Sequence, residues 1–240
     1  MKTTDGDHLA VIPARGGSKG ILRKNMAPVA GKPLMAWTIE TALECSLLCR
    51  VIVSTDDREI ADVARHYGAE VPFLRPTALA GDDTAGIEPV LHAARWLGQH
   101  EHYHPYYVIA LQPTSPLRTA EDIQAAIQLA RERQADTVVS VCHVGQHPYW
   151  MKRVTEYGKL ADFLSLEQDY TRRQDLPAAY ALNGAIYLAR REVLLTRQSF
   201  YTGRTYAYVM PEERSLDVDT PWHLHIADLI LKDRMNDEDN

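Results

Sequence analysis

Short apolar runs alternate with stretches of helical spacing along most of this chain, the pattern of a parallel sheet flanked by helices. Leu9–Ile12 is a compact β-rich run that stops at Pro13, and Val51–Val53 and Tyr107–Leu111 repeat the type. Between them Pro33–Leu47 predicts a helix, with Pro33 in its first turn and Leu34, Trp37, Ile39 and Leu43 at roughly helical spacing. Arg58–Tyr67 predicts a shorter helix closed by Gly68, a residue type suited to a C-cap, and Ile87–Leu97 predicts another. Val71–Leu74 reads as a further short strand. Thr119 resembles a helix N-cap with Asp122 at the capping-box position, so a helix is expected from there to about Arg133, followed by a strand over Thr137–Cys142.

After Cys142 the rhythm breaks. Residues 143–182 mix aromatics, prolines and charges without a clean period, too long a stretch for an ordinary connection, and an excursion such as a lid or dimer arm is expected. Ala185–Ala189 and Tyr206–Met210 restore strands, Thr220–Leu231 predicts a closing helix, and polar Asn236–Asn240 predicts a frayed end. The expected organisation is one α/β domain of residues 1–142 and 183–240, with a mostly parallel sheet and helices on both faces. Residues 143–182 form the inserted arm.

Composition narrows the function classes. No apolar run approaches the roughly 20 residues of a membrane span, and no signal-peptide core precedes His8, so a cytoplasmic protein without a membrane partner is expected. Cys45, Cys49 and Cys142 show neither a disulfide framework nor zinc spacing. The formal net charge of −6 hides an asymmetry. From His8 to Ile39 there is no carboxylate, yet Arg15, Lys19, Arg23, Lys24 and Lys32 fall there. An acidic chain with one basic segment is unsuited to coating nucleic acid and suited to holding one small polyanion.

That segment, Pro13-Ala14-Arg15-Gly16-Gly17-Ser18-Lys19-Gly20-Ile21-Leu22-Arg23-Lys24-Asn25, leaves the carboxyl end of the first strand, where open α/β sheets bind ligands. Its glycines let backbone N–H groups approach oxygens closely, and Arg15, Lys19 and Lys24 can offset most of a charge of about −4. The spacing is neither the Walker loop nor the dinucleotide fingerprint. Gly16-Gly17-Ser18-Lys19-Gly20 also matches the G-x-S-x-G elbow of serine hydrolases, an alternative that would make Ser18 a nucleophile; four flanking cations and the lack of an immediate helix speak against it. Near the other end, Ser215-Leu216-Asp217-Val218-Asp219-Thr220-Pro221 would, as a strand end, turn Leu216 and Val218 inward and Asp217 and Asp219 to the opposite face. Two such carboxylates suit Mg²⁺ shared with phosphates; alternatively Asp219 or Thr220 is simply a helix cap. His100, His102 and His104 read as solvated loop residues.

In order along the chain, Val11-Ile12-Pro13-Ala14-Arg15, Val53-Ser54-Thr55-Asp56, Leu74-Arg75-Pro76, Leu111-Gln112-Pro113-Thr114-Ser115-Pro116-Leu117-Arg118, Asn183-Gly184-Ala185-Ile186-Tyr187 and Ser215–Thr220 resemble the acylneuraminate cytidylyltransferase family. This family comprises the CMP-sialic acid synthetases and their relatives acting on other nonulosonic acids. The resemblance implies a Rossmann-like nucleotidyltransferase sheet. The implied reaction moves CMP from CTP to the anomeric hydroxyl of a 2-keto sugar acid and releases pyrophosphate. It implies Arg15, Gly17, Ser18, Lys19 and Lys24 around the phosphates, Asn25 and Arg75 near ribose and cytosine, and Asp217 and Asp219 as the Mg²⁺ pair. It further implies Gln112, Arg173, Tyr180, Asn183 and Tyr187 around the sugar, and a homodimer whose arm completes the neighbouring site. Ala181-Leu182 stands where some sialic-acid enzymes carry an arginine, which implies that another group reads the sugar carboxylate; N-acetylneuraminic, legionaminic and other acids stay open. A non-catalytic nucleotide-binding protein of the same fold is the remaining alternative. No phosphatase-like extension is expected.

Overall fold

The computed structural model describes residues 7–164 and 172–238. Its strands in chain order are β1 (His8–Pro13), β2 (Pro28–Val29), β3 (Lys32–Pro33), β4 (Arg50–Ser54), β5 (Tyr107–Leu111), β6 (Thr137–His143), β7 (Lys152–Val154), β8 (Leu160–Asp162), β9 (Tyr180–Arg190) and β10 (Thr205–Val209). The helices are α1 (Leu34–Glu44), α2 (Arg58–His66), α3 (Glu88–His100), α4 (Ala120–Glu132), α5 (Arg191–Arg197) and α6 (Pro221–Glu238). Six strands form the main sheet in the order β10-β6-β9-β5-β1-β4. All neighbours run parallel except β9, which lies antiparallel between β5 and β6.

Period-two alternation builds the two layers. Ala10 and Ile12 of β1 face a core shared with Met35 and Ile39 of α1, Ile60 of α2 and Ile123 and Ile127 of α4. Leu9 and Val11 face the opposite core with Leu91 and Leu97 of α3 and Leu194 of α5. A third, smaller cluster sets Ala227 and Leu231 of α6 against Val29, Leu34, Leu117 and Val218. It seats α6 on the β2–β3 turn, where Asp228 Oδ1 accepts from the Ala30 amide at 2.7 Å.

Several local expectations hold for identifiable reasons. Thr119 and Asp122 form a reciprocal capping box at the start of α4. Gly68, with φ +91°, ends α2, its amide donating a hydrogen bond to the Arg65 carbonyl at 3.0 Å. Other expectations are corrected. Val71–Leu74 is not a strand: pairing stops at the single parallel bridge Ile52↔Glu70, because Pro72 has no N–H to continue a ladder. Strand β9 extends five residues beyond Ala185 toward the amino end, where Tyr180–Leu182 are exposed and show no apolar alternation. Helix α5 escapes the pattern because two turns with one buried residue, Leu194, carry too little periodicity. The final helix runs to Glu238, so Asn236 and Asp237 lie within it. Between β6 and β9 the described part of the excursion carries the antiparallel hairpin β7–β8.

Candidate active site

Strands β1 and β5 are neighbours from which the chain proceeds to opposite edges of the sheet, β1 to β4 and β5 to β6, the switch point at which open α/β sheets hold ligands. The basic loop leaves β1 here and is fastened on two sides. The Gly16 amide donates to Asp56 Oδ1 at 3.1 Å, and a Cβ on Gly16 would stand 2.8 Å from Asp57 Oδ2, so the loop lies flat against the end of β4. On the other side buried Asn25 donates from Nδ2 to the Arg15 carbonyl at 3.0 Å. A cavity of about 300 Å³ opens above, lined among others by Arg15, Gly17, Ser18, Lys24 and Asn25.

The loop's cations divide. Arg15 Nη1 lies 2.8 Å from Asp82 Oδ1 and Lys19 Nζ lies 3.0 Å from Asp82 Oδ2; Arg15 and Asp82 line the cavity, and Lys19 stands exposed outside it. These two partners hold the Asp82 carboxyl below the usual carboxylate range, Lys19 most strongly. Lys24 Nζ lies 3.0 Å from Asp219 Oδ1. Arg23 instead turns to Asp57 and Glu59 at the start of α2, and Lys32 pairs with Glu40 over the Trp37 ring.

Asp217 and Asp219 line the same cavity from the opposite side, roughly two hundred residues later in the chain. Their segment is not a strand, but the predicted alternation survives: Leu216 and Val218 pack into the α6 cluster, and the Val218 amide donates to the Thr114 carbonyl at 2.8 Å. The cap falls on Thr220, whose Oγ1 accepts from the His223 amide at 3.2 Å, which leaves the Asp219 carboxylate to Lys24. Asp217 Oδ1 is buried without a hydrogen-bond partner. Burial pushes the Asp217 carboxyl up, and the nearby charge of Asp219 adds to it.

Gln112, Pro113 and Thr114, at the carboxyl end of β5, supply a third wall. Gly184 has φ +73°, a conformation that favours glycine, and a Cβ there would stand 2.8 Å from Gln112 Oε1, so a larger residue would also push the Gln112 side chain aside. Arg75 also lines the cavity. It is 4% exposed, donates from Nη2 to the Ser54 carbonyl at 2.9 Å, and keeps a buried Nε without a partner. Burial, with some help from Arg15, lowers its pKa.

A second cavity of about 280 Å³ adjoins the first and shares Pro13, Gly86 and Gln112 with it; Tyr187, Phe200 and Tyr201 close its far side. Burial pushes the Tyr187 hydroxyl up. The remaining sugar-site candidates lie elsewhere. Asn183 is 3% exposed and sits beneath the site, bonded to Ser140 and Ser215. Tyr180 is half exposed against His143 and lines neither cavity. The Arg173 side chain lies outside the described residues. Asp82, Phe200 and Tyr201 were not anticipated: Asp82 sits in a Gly81–Gly86 turn that reads as plain loop, and the two aromatics follow the unpredicted helix α5.

Ser18 is followed not by a helix but by the single 3₁₀ turn Lys24–Met26, so the hydrolase elbow lacks its geometry. A Rossmann-like sheet with a fastened basic loop facing two carboxylates across its switch point defines the nucleotidyltransferase class of α/β protein. Within that class the chain belongs to the cytidylyltransferase family, whose model matches residues 9–235. It is 39% identical over 214 residues to the CMP-N,N'-diacetyllegionaminic acid synthase of Legionella pneumophila, covering 89% of this chain and 91% of that one. It is 36% identical to an N-acylneuraminate cytidylyltransferase of Streptococcus agalactiae over 88% of this chain, and spans 50% of that longer relative. A CMP:2-keto-3-deoxy-manno-octonic acid synthetase solved with CTP shares the fold, with a TM-score of 0.69 at 20% identity, covering 95% of this chain and 99% of that one.

Proposed function

We propose that this cytidylyltransferase moves CMP from CTP to the anomeric hydroxyl of a nonulosonic acid. The carrying observation is the single cavity in which Arg15 and Lys24 face Asp217 and Asp219. The hydroxyl oxygen would form its bond to the α-phosphorus while the bond from that phosphorus to the bridging oxygen breaks, and pyrophosphate leaves. Such a transfer requires positioning and charge neutralisation more than covalent help. Arg15, Lys19 and Lys24 would exchange their present carboxylate partners for phosphate oxygens, with Asn25 and Arg75 toward the nucleoside. The hydroxyl proton would pass to Asp217, Asp219 or solvent as the new bond forms.

Asp217 and Asp219 fit a magnesium ion: both offer hard oxygens, and Asp217 Oδ1 is a buried acceptor with nothing to accept. Among the described residues no group of three or more His, Cys, Asp or Glu could hold a metal alone, which suits an ion that shares its shell with phosphates and water. When bound, Mg²⁺ would supply neutralisation of charge on the triphosphate. The adjoining cavity, with Gln112 on its shared wall and Tyr187 inside, suits the sugar.

A homodimer belongs to the same reading. Val154, Tyr157, Leu160 and Phe163 on the β7–β8 hairpin are 70%, 87%, 74% and 63% exposed, an apolar surface that a second copy would cover. We also read the protein as cytoplasmic, where CTP is available; no helix among the described residues is long and apolar enough to cross a membrane. The test is pyrophosphate release with CTP, Mg²⁺ and a panel of nonulosonic acids. Release dependent on one of them supports the reading, and silence across the panel refutes it.

A further inference from the structure

The segment carrying Asp217 and Asp219 has no regular secondary structure, so its place depends on Val218, which is buried and bonded to the Thr114 carbonyl, and on what holds its ends. Downstream it enters α6. Upstream it is held by Asp122, a carboxylate with no exposed surface in the first turn of α4. Asp122 Oδ2 accepts from Arg214 Nε at 2.9 Å and from the Thr119 amide at 3.0 Å. Its Oδ1 accepts from Arg214 Nη2 at 2.8 Å and from the Tyr208 hydroxyl at 2.9 Å.

This carboxylate therefore serves two walls of the cavity at once. Through Thr119 it fixes the end of the loop that begins with Gln112, Pro113 and Thr114. Through Arg214 it fixes the chain three residues before Asp217. Next to it Ser215 Oγ accepts from Asn183 Nδ2 at 3.0 Å, one residue before Gly184, whose backbone lies against Gln112 Oε1 and Asp217 Oδ2. Three residues span roughly 10 Å at most, so a shift at Arg214 has little chain in which to dissipate before it reaches Asp217.

We propose that Asp122 and Arg214 form a positioning pair that sets Asp217 and Asp219 opposite the basic loop. Neither residue lines the cavity. The inference rests on the proposed function for its catalytic consequence, but its geometric content does not. A planar fork is required here: an ammonium keeps the charge and loses the two-point grip.

The test compares wild type with Arg214→Lys and Tyr208→Phe, which avoid the buried charge change of Asp122→Asn. Arg50→Lys is the control, since Arg50 grips Glu70 and Glu101 far from the cavity. Turnover, the CTP KM, melting temperature and Mn²⁺ affinity in the presence of CTP, by water-proton relaxation, are measured on each. Arg214→Lys is expected to lower kcat about 10-fold, the effect of a sub-ångström misplacement, and to weaken Mn²⁺ binding by a similar factor, with the CTP KM within about twofold. Tyr208→Phe should shift the same two quantities less, and Arg50→Lys should move only the melting temperature. Wild-type kcat and Mn²⁺ affinity in Arg214→Lys would overturn the proposal, as would Arg50→Lys reproducing its losses. If wild type forms no CMP-sugar, the functional reading fails by itself; weakened Mn²⁺ binding in Arg214→Lys then still supports the pair, and unchanged binding rejects it.

Discussion

Gly20→Ala tests whether the basic loop and the acidic segment form one site, because a glycine is all that separates them. A Cβ at Gly20 would stand 2.8 Å from the Asp219 carbonyl oxygen, where ordinary contact begins at 3.4 Å. The obstacle is backbone, not the end of a flexible side chain, so the two segments must part by about 0.6 Å. That displacement acts directly on the Lys24–Asp219 pair, now 3.0 Å long. If a 1 Å misplacement costs up to about 100-fold, 0.6 Å should cost about 10-fold in kcat/KM, or about 1.4 kcal/mol in the barrier. The loop is exposed, so the melting temperature should fall by only about 2–4 °C per kcal/mol of strain retained. Steady-state pyrophosphate release with CTP and Mg²⁺ reads the effect. Gly203→Ala, with nothing within 4 Å of its Cβ, should be silent. Gly20→Ala with kcat/KM within twofold of wild type would refute the claim that these segments act together.

Other variants probe single charges. Burial raises the Asp217 carboxyl pKa, so the folded state binds more protons than the unfolded state between the ordinary value and the raised one. Stability therefore falls as pH rises through that window, and the cost is fully present above it. Asp217→Asn should accordingly raise the melting temperature of the free protein at neutral pH while abolishing turnover; a lower melting temperature would contradict the burial argument. Asp82→Asn should lower the CTP KM about two- to fivefold by freeing Arg15 and Lys19, whereas a higher KM would mean that Asp82 itself helps bind the nucleotide. Val154→Asp with Leu160→Asp, a cross-strand pair on the exposed hairpin, should convert a dimer to a monomer in sedimentation velocity, and an unchanged coefficient would reject the arm as the contact.

Much of this arrangement was legible because it rests on local rules. The evenly apolar runs of β1, β4 and β5 mark a buried sheet, and Thr119 with Asp122 marks the start of α4. A stretch without carboxylates followed by a distant Asp-x-Asp was enough to select Arg15, Lys19, Lys24, Asp217 and Asp219, of which all but Lys19 line one cavity. What stayed hidden depends on distant partners. Nothing near Asp122 announces that Arg214 and Tyr208 will share its carboxylate, and a capping box is complete without them. The direction of β9 is equally invisible, since an antiparallel strand between buried neighbours carries the same apolar pattern as a parallel one. The resemblance places Asn183 at the sugar pocket, and its side chain is bonded to Ser140 and Ser215 beneath the cavity.

Transfer of CMP to a sugar acid where the basic loop meets the carboxylate pair is read out by product stoichiometry. Purified protein with CTP, Mg²⁺ and the best acceptor of the panel would be followed by ³¹P NMR. One CMP-linked sugar is expected for each pyrophosphate released, and no pyrophosphate when the sugar is omitted. CTP breakdown that proceeds without the sugar, or nucleotide binding with no turnover, would contradict it.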